Sequence, residues 1–142
     1  MNKKFILAIV AYFAVTMATA YPWHMLLFHE KYVAMGAFTR GQPIMPFGMT
    51  AVMLQAVIFA YFYPLYYSHK GGGPPLLRGI QFGLLLGITV WSVMVFATAA
   101  KFAIEPVSDF VLLGTAFQLI QFVAVGAAIG LVYGHPDTVA NS

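Results

Sequence analysis

Histidine and methionine gather in one stretch of the chain. His24, Met25, His29, Met35, Met45 and Met49 lie close together in sequence. Imidazole nitrogen combined with thioether sulfur is a ligand set that suits copper. His24, Met25 and His29 are the candidate ligands. Their spacing argues against a preformed site, because His24 and His29 stand five residues apart. Side chains on one helical face recur every three or four residues instead. Methionine at an interface is also ordinary apolar filling. The sequence therefore predicts no stoichiometric metal and no cofactor.

A second set is uncharged and lies deeper. When the apolar runs described below are aligned as antiparallel neighbours, Tyr12, Gln55, Trp91, Ser92 and Gln121 fall at one depth. Gln118 lies one turn further out. In hydrocarbon such groups must find partners, so they are expected to face inward. One reading is interhelical hydrogen bonding, at roughly 0.6–2 kcal/mol per bond. The other is a polar site for a small ligand. The first is favoured, because amides alone form no catalytic set. No Ser/His/Asp set, phosphate loop or paired carboxylate occurs in the chain, so the sequence reads as a non-enzyme. The absence of Cys excludes disulfide scaffolds and thiolate chemistry.

These residues must be positioned by four apolar runs: Phe5–Tyr21, Phe47–Tyr67, Gly79–Ala100 and Phe110–Tyr133. None contains Asp, Glu, Lys or Arg. Roughly 20 such residues cross the ~30 Å hydrocarbon core as a helix. Charged residues make up 8% of the chain, against about 25% in soluble domains. The predicted fold is an all-α membrane protein with four transmembrane helices and a short interfacial helix between the first and second. Residues 1–142 form a single transmembrane domain, and the bilayer is the first partner. The seven cations are scattered, so nucleic acid is not an expected partner.

Lys3, Lys4, the first run and Ala18-Thr19-Ala20 resemble a signal peptide. The run is long for a signal h-region, so retention of the first helix is expected. Lys3, Lys4, Lys70 and Arg78 fall on one side of the membrane, and Lys31, Arg40 and Lys101 on the other. The majority places both termini in the cytoplasm. His69 and His135 lie on that side as surface polarity. Trp23–Phe38 reads as the interfacial helix, with Met25, Leu26, Phe28, Tyr32 and Met35 toward lipid or bundle. Gly71–Pro75 reads as a hinge-like linker, and Ser108 or Asp109 as the cap of the fourth helix.

The packing signal is a pair of glycine ridges. Gly79, Gly83 and Gly87 recur every four residues, as do Gly126, Gly130 and Gly134. Small residues at this spacing let backbones approach closely. Both ridges fall in the cytoplasmic half, which predicts direct contact; a face shared with another subunit is the competing reading. No carboxylate, Lys, Arg or His lies within a run, which disfavours proton-coupled transport.

Pro22-Trp23, Leu27-Phe28, Lys31-Tyr32 and Gly36, followed by a long second helix, resemble an uncharacterised bacterial family of short four-helix membrane proteins, a domain of unknown function. Arg78-Gly79, Gly83-Leu84-Leu85-Leu86-Gly87 and Gly126-Ala127-Ala128-Ile129-Gly130 are similar too. The likeness covers most of the chain and departs in the loop between the third and fourth helices, which is more polar in the family. It implies the four-helix fold and a bacterial inner membrane, and no activity.

Three functional readings follow. The favoured one is a structural or accessory subunit that packs against other membrane proteins or against itself as a homo-oligomer. The second is a binder or facilitator of a lipid- or quinone-like molecule. The third is a copper-handling protein at the outer face.

Overall fold

The computed structural model describes residues 2–134; His135 and the C-terminal Ser142 lie outside them. Four long helices run antiparallel among the described residues: α1 Lys3–Leu27, α3 Met45–His69, α4 Pro75–Lys101 and α5 Val107–Tyr133. A short helix, α2, spans His29–Ala34. Each long helix has the length and apolarity needed to cross a membrane. The chain is an all-α, four-helix membrane protein.

The predicted runs fall inside these helices, and the main difference is at Pro22. Proline inside a helix removes a hydrogen bond and clashes with the preceding turn, so the sequence reading ends the first helix there. Instead the helix widens into a π-helical turn over Pro22–Leu27. The Phe28 amide donates to the Trp23 carbonyl five residues back, at 3.1 Å. The helix continues to Leu27, and the interfacial helix expected over Trp23–Phe38 shrinks to His29–Ala34. A second π-helical turn, Ser92–Ala97, interrupts α4.

One further expectation is corrected. α5 starts at Val107 after Pro106, with no side-chain cap from Ser108 or Asp109. The Gly71–Pro75 linker forms a hydrogen-bonded glycine turn. Gly71, Gly72 and Gly73 adopt φ of 69, 85 and 115°, a region that suits glycine. Arg78 Nε donates to the Gly72 carbonyl at 2.7 Å, and the Tyr67 hydroxyl to the Gly73 carbonyl at 2.8 Å.

The core has two parts. The larger gathers Tyr12, Phe59, Tyr63, Phe82, Phe122 and Ile129 around α5. The Phe59 and Phe122 rings stack with centroids 5.8 Å apart, and Phe82 meets Phe59 edge-on at 5.5 Å. The smaller part lies under α2, where Tyr32, Met35, Val95, Ile104 and Phe110 are buried together. The Glu105 amide donates to the Met35 carbonyl at 3.0 Å. α2 is therefore a cap folded onto one end of the bundle. At the other end Lys4 Nζ donates to the Tyr133 carbonyl at 2.9 Å, which places a cation on the negative end of α5.

Candidate functional site

α4 and α5 meet through their glycines. A methyl group on Gly79 would strike the Gly126 carbonyl oxygen and lie 2.8 Å from Gly130 Cα. One on Gly83 would strike the Phe122 carbonyl oxygen and lie 2.9 Å from Gly126 Cα. Gly130 packs on Pro75 and Gly79. Gly87 faces the Phe122 ring rather than a glycine. Gly134 stands apart: it ends α5 with φ 59°, and nothing lies within 4 Å of its missing side chain. The contact ridges are thus Gly79/Gly83 against Gly126/Gly130. Gly114 joins the small-residue set further along α5, with Val95 Cγ2 2.9 Å from where its side chain would begin.

Only part of the expected layer forms: Tyr12, Gln55 and Gln121 meet around Thr16, whose side chain reaches both Tyr12 and Gln121, while Trp91 and Ser92 bond elsewhere. The Tyr12 hydroxyl donates to Gln55 Oε1 at 2.8 Å, joining α1 to α3. Gln121 Nε2 donates to Thr16 Oγ1 at 2.9 Å, and the Thr19 hydroxyl donates to Gln121 Oε1, joining α5 to α1. Trp91 Nε1 donates to Thr115 Oγ1 at 2.9 Å, joining α4 to α5. Ser92 is exposed on the bundle surface and donates to the Thr89 carbonyl of its own helix at 2.8 Å. Gln118 takes no part in these bonds. The missed partners, Thr16 and Thr19, carry a legible signal: with Tyr12 they recur at spacings of four and three, one face of a helix.

The three candidate metal ligands also separate. His24, drawn into α1 by the π-helical turn, points beneath the α2 cap. Its ring meets Phe117 edge-on at 4.4 Å and lies 5.1 Å from Tyr32 and 6.0 Å from Phe38. Met25 and His29 line surface grooves beside the cap instead. Among the described residues no three His, Cys, Asp or Glu side chains converge as a metal site. His24 lies beyond the apolar run Phe5–Tyr21 but inside α1, which continues to Leu27.

His24, Tyr32, Phe38, Phe117 and Gln118 line a cavity of about 220 Å³ under the cap. His24 Nδ1 is buried and has no hydrogen-bond partner. Buried polar atoms in folded proteins are nearly always paired, so this nitrogen is an exception. The Tyr32 hydroxyl accepts from Trp23 Nε1 at 3.3 Å; burial pushes the Tyr32 phenol above its ordinary pKa, and the Trp23 bond opposes that rise.

Four apolar spans, with polar groups paired between helices, define a multi-pass integral membrane protein. Comparison with protein-family models, curated proteins and solved structures finds no match to this chain.

Proposed function

We propose that this protein is a membrane-embedded packing subunit that joins other membrane proteins, or further copies of itself, through α3. The first part of α3 carries this reading. From Met45 to Leu54 every residue is exposed except the half-buried Val52. Val52 touches the larger core, and continuous packing on the rest of the bundle begins at Gln55 and Ala56. Gly48, in the first turn, has nothing within 4 Å of where its side chain would begin. Gly79, Gly83, Gly126 and Gly130 serve close approach inside the chain, whereas Gly48 serves none there. A glycine on a lipid-facing helix lets a second backbone come close. The mid-depth polar pairs add interhelical support, and no charged or nucleophilic set converges beside them.

The proposed setting is a bacterial plasma membrane with both termini in the cytoplasm and the α2 cap outside. Lys3, Lys4, Lys70 and Arg78 at the end opposite the cap support that orientation, against Lys31, Arg40 and Lys101 at the capped end. The test is native mass in mild detergent. The wild type should appear as an assembly with itself or another membrane protein, and Gly48→Leu should reduce it to the monomer. A wild-type protein that is monomeric and free of other polypeptides would overturn the reading.

A further inference from the structure

The cavity beneath the α2 cap carries an inference independent of assembly. We infer that it binds the head of a neutral, ring-bearing membrane amphiphile with hydrogen-bonding oxygens, which is the chemistry of a quinone or quinol.

Size is the first argument. An apolar cavity of about 150 Å³ admits benzene, so a cavity of about 220 Å³ admits one substituted ring. Charge is the second. No Lys, Arg, Asp or Glu lines the cavity, so a phosphate or ammonium brought there would be desolvated without a counter-charge. A neutral head meets no such penalty.

Recognition chemistry is the third. Tyr32 and Phe38 stack with centroids 5.0 Å apart, and Phe117 meets the His24 ring at 4.4 Å. These faces suit a planar ring. His24 is the polar group there whose Nδ1 is unpaired, and Gln118 lies outside the interhelical pairs. A neutral imidazole offers one donor and one acceptor, and a carboxamide offers both kinds. Carbonyl or hydroxyl oxygens on a ring match either residue.

The chain of such a ligand also has a course. Gln118 is shared with a second concavity of about 190 Å³ between α4 and α5, lined by Leu84, Gly87, Ile88, Leu119 and Phe122. That groove is apolar and lies along the spanning helices, where an isoprenoid or alkyl tail would run. Both π-helical turns contribute to the head cavity, His24 from one and Met94 and Val95 from the other. Such turns recur at functional sites.

The probe is a short-chain benzoquinone, decylubiquinone, titrated into the purified protein in nanodiscs. Both tryptophans report. The Trp23 ring lies 5.9 Å from the Phe117 ring, and Trp91 lines the groove. Saturable quenching is expected. His24→Phe and Gln118→Leu should each weaken binding about tenfold. Ala37→Phe, which fills the cavity without removing a polar group, should abolish it. His24→Phe should keep or raise thermal stability, because it removes an unpaired buried nitrogen; should it not fold, the other two variants decide. Quenching that rises linearly with probe, or that is unchanged in Ala37→Phe and Gln118→Leu, overturns the inference. So does displacement of the quinone by a straight-chain alcohol as readily as by a second quinone.

Discussion

Gly79 and Gly126 are in reciprocal contact: a methyl group on either would strike the other's carbonyl oxygen. The obstruction is backbone on both sides, so no side-chain rotation can relieve it. α4 and α5 must part if either residue grows.

Gly126→Ala and Gly83→Leu should therefore destabilise the fold, by about 1–3 kcal/mol as overpacking. Gly48→Ala should leave the thermal stability of the monomer unchanged, since open space surrounds that position within the chain. Thermal unfolding in detergent, followed by circular dichroism, separates the two classes. Equal midpoints for all variants would refute the close approach.

The Tyr12–Gln55 and Gln121–Thr16 bonds join different helix pairs but are linked at Thr16, whose side chain also reaches Tyr12 one turn back on α1. Tyr12→Phe and Gln121→Leu should each lower stability by roughly 0.6–2 kcal/mol. Because Thr16 is a partner of both Tyr12 and Gln121, the double variant should depart from additivity by roughly 0.5–3 kcal/mol. Additivity to within about 0.5 kcal/mol would mean that separate pairs, and not one continuous network, cross the bundle.

Arg78 holds the glycine turn through its bond to the Gly72 carbonyl. Its guanidinium also lies 2.9 Å from where a side chain on Gly73 would begin. Arg78→Ala should raise amide exchange and protease cutting within Gly71–Gly73 while α4 stays helical. An unchanged cutting rate would show that the three glycines hold the turn alone.

Tyr32 gives the cap a pH dependence. Its pKa is raised in the folded state, chiefly by burial. Folding therefore favours the protonated phenol. That contribution is complete below the ordinary tyrosine value of about 10 and is lost as pH climbs toward the raised folded value. Fluorescence of Trp23, read in a Trp91→Phe background, should report loosening of the cap only above about pH 10. Tyr32→Phe should abolish that transition. A transition that persists in Tyr32→Phe belongs to another group.

The fold was largely legible because membrane helices must satisfy their own backbone, so uncharged length alone reveals them. The glycine contact was legible for a related reason: Gly79/Gly83 and Gly126/Gly130 share one spacing and one depth. Pro22 misled because proline ordinarily ends a helix, and nothing local announces that the turn will widen around it. That error misplaced His24, which reads as part of an interfacial helix and is in fact within α1. The polar layer was legible only in part, since Tyr12, Gln55 and Gln121 meet around Thr16 while Trp91 and Ser92 stand apart. Depth can be read from position along a helix, but the rotation of one helix against another depends on packing. Gln118 and Gln121 lie three residues apart on α5, yet Gln121 turns to α1 and Gln118 to the cavity. Gly134 obeyed the ridge spacing but lay one turn too far, where α5 had ended.

α5 follows the other helices in the chain, yet it is the one on which they close. Gln121 reaches Thr16 of α1, the Tyr133 hydroxyl reaches the Ala60 carbonyl of α3 at 2.6 Å, and Gly126 seats Gly79 of α4. During synthesis, then, α1, α3 and α4 enter the membrane before their common partner exists. In that interval Thr16 and Thr19 must bond back along α1, as Thr19 can to the Val15 carbonyl at 2.9 Å, and lipid must fill the bare strip of Gly79 and Gly83. A nascent chain halted before Val107 is an unfinished bundle with its seam open, the kind of intermediate that membrane insertases shelter and membrane proteases recognise.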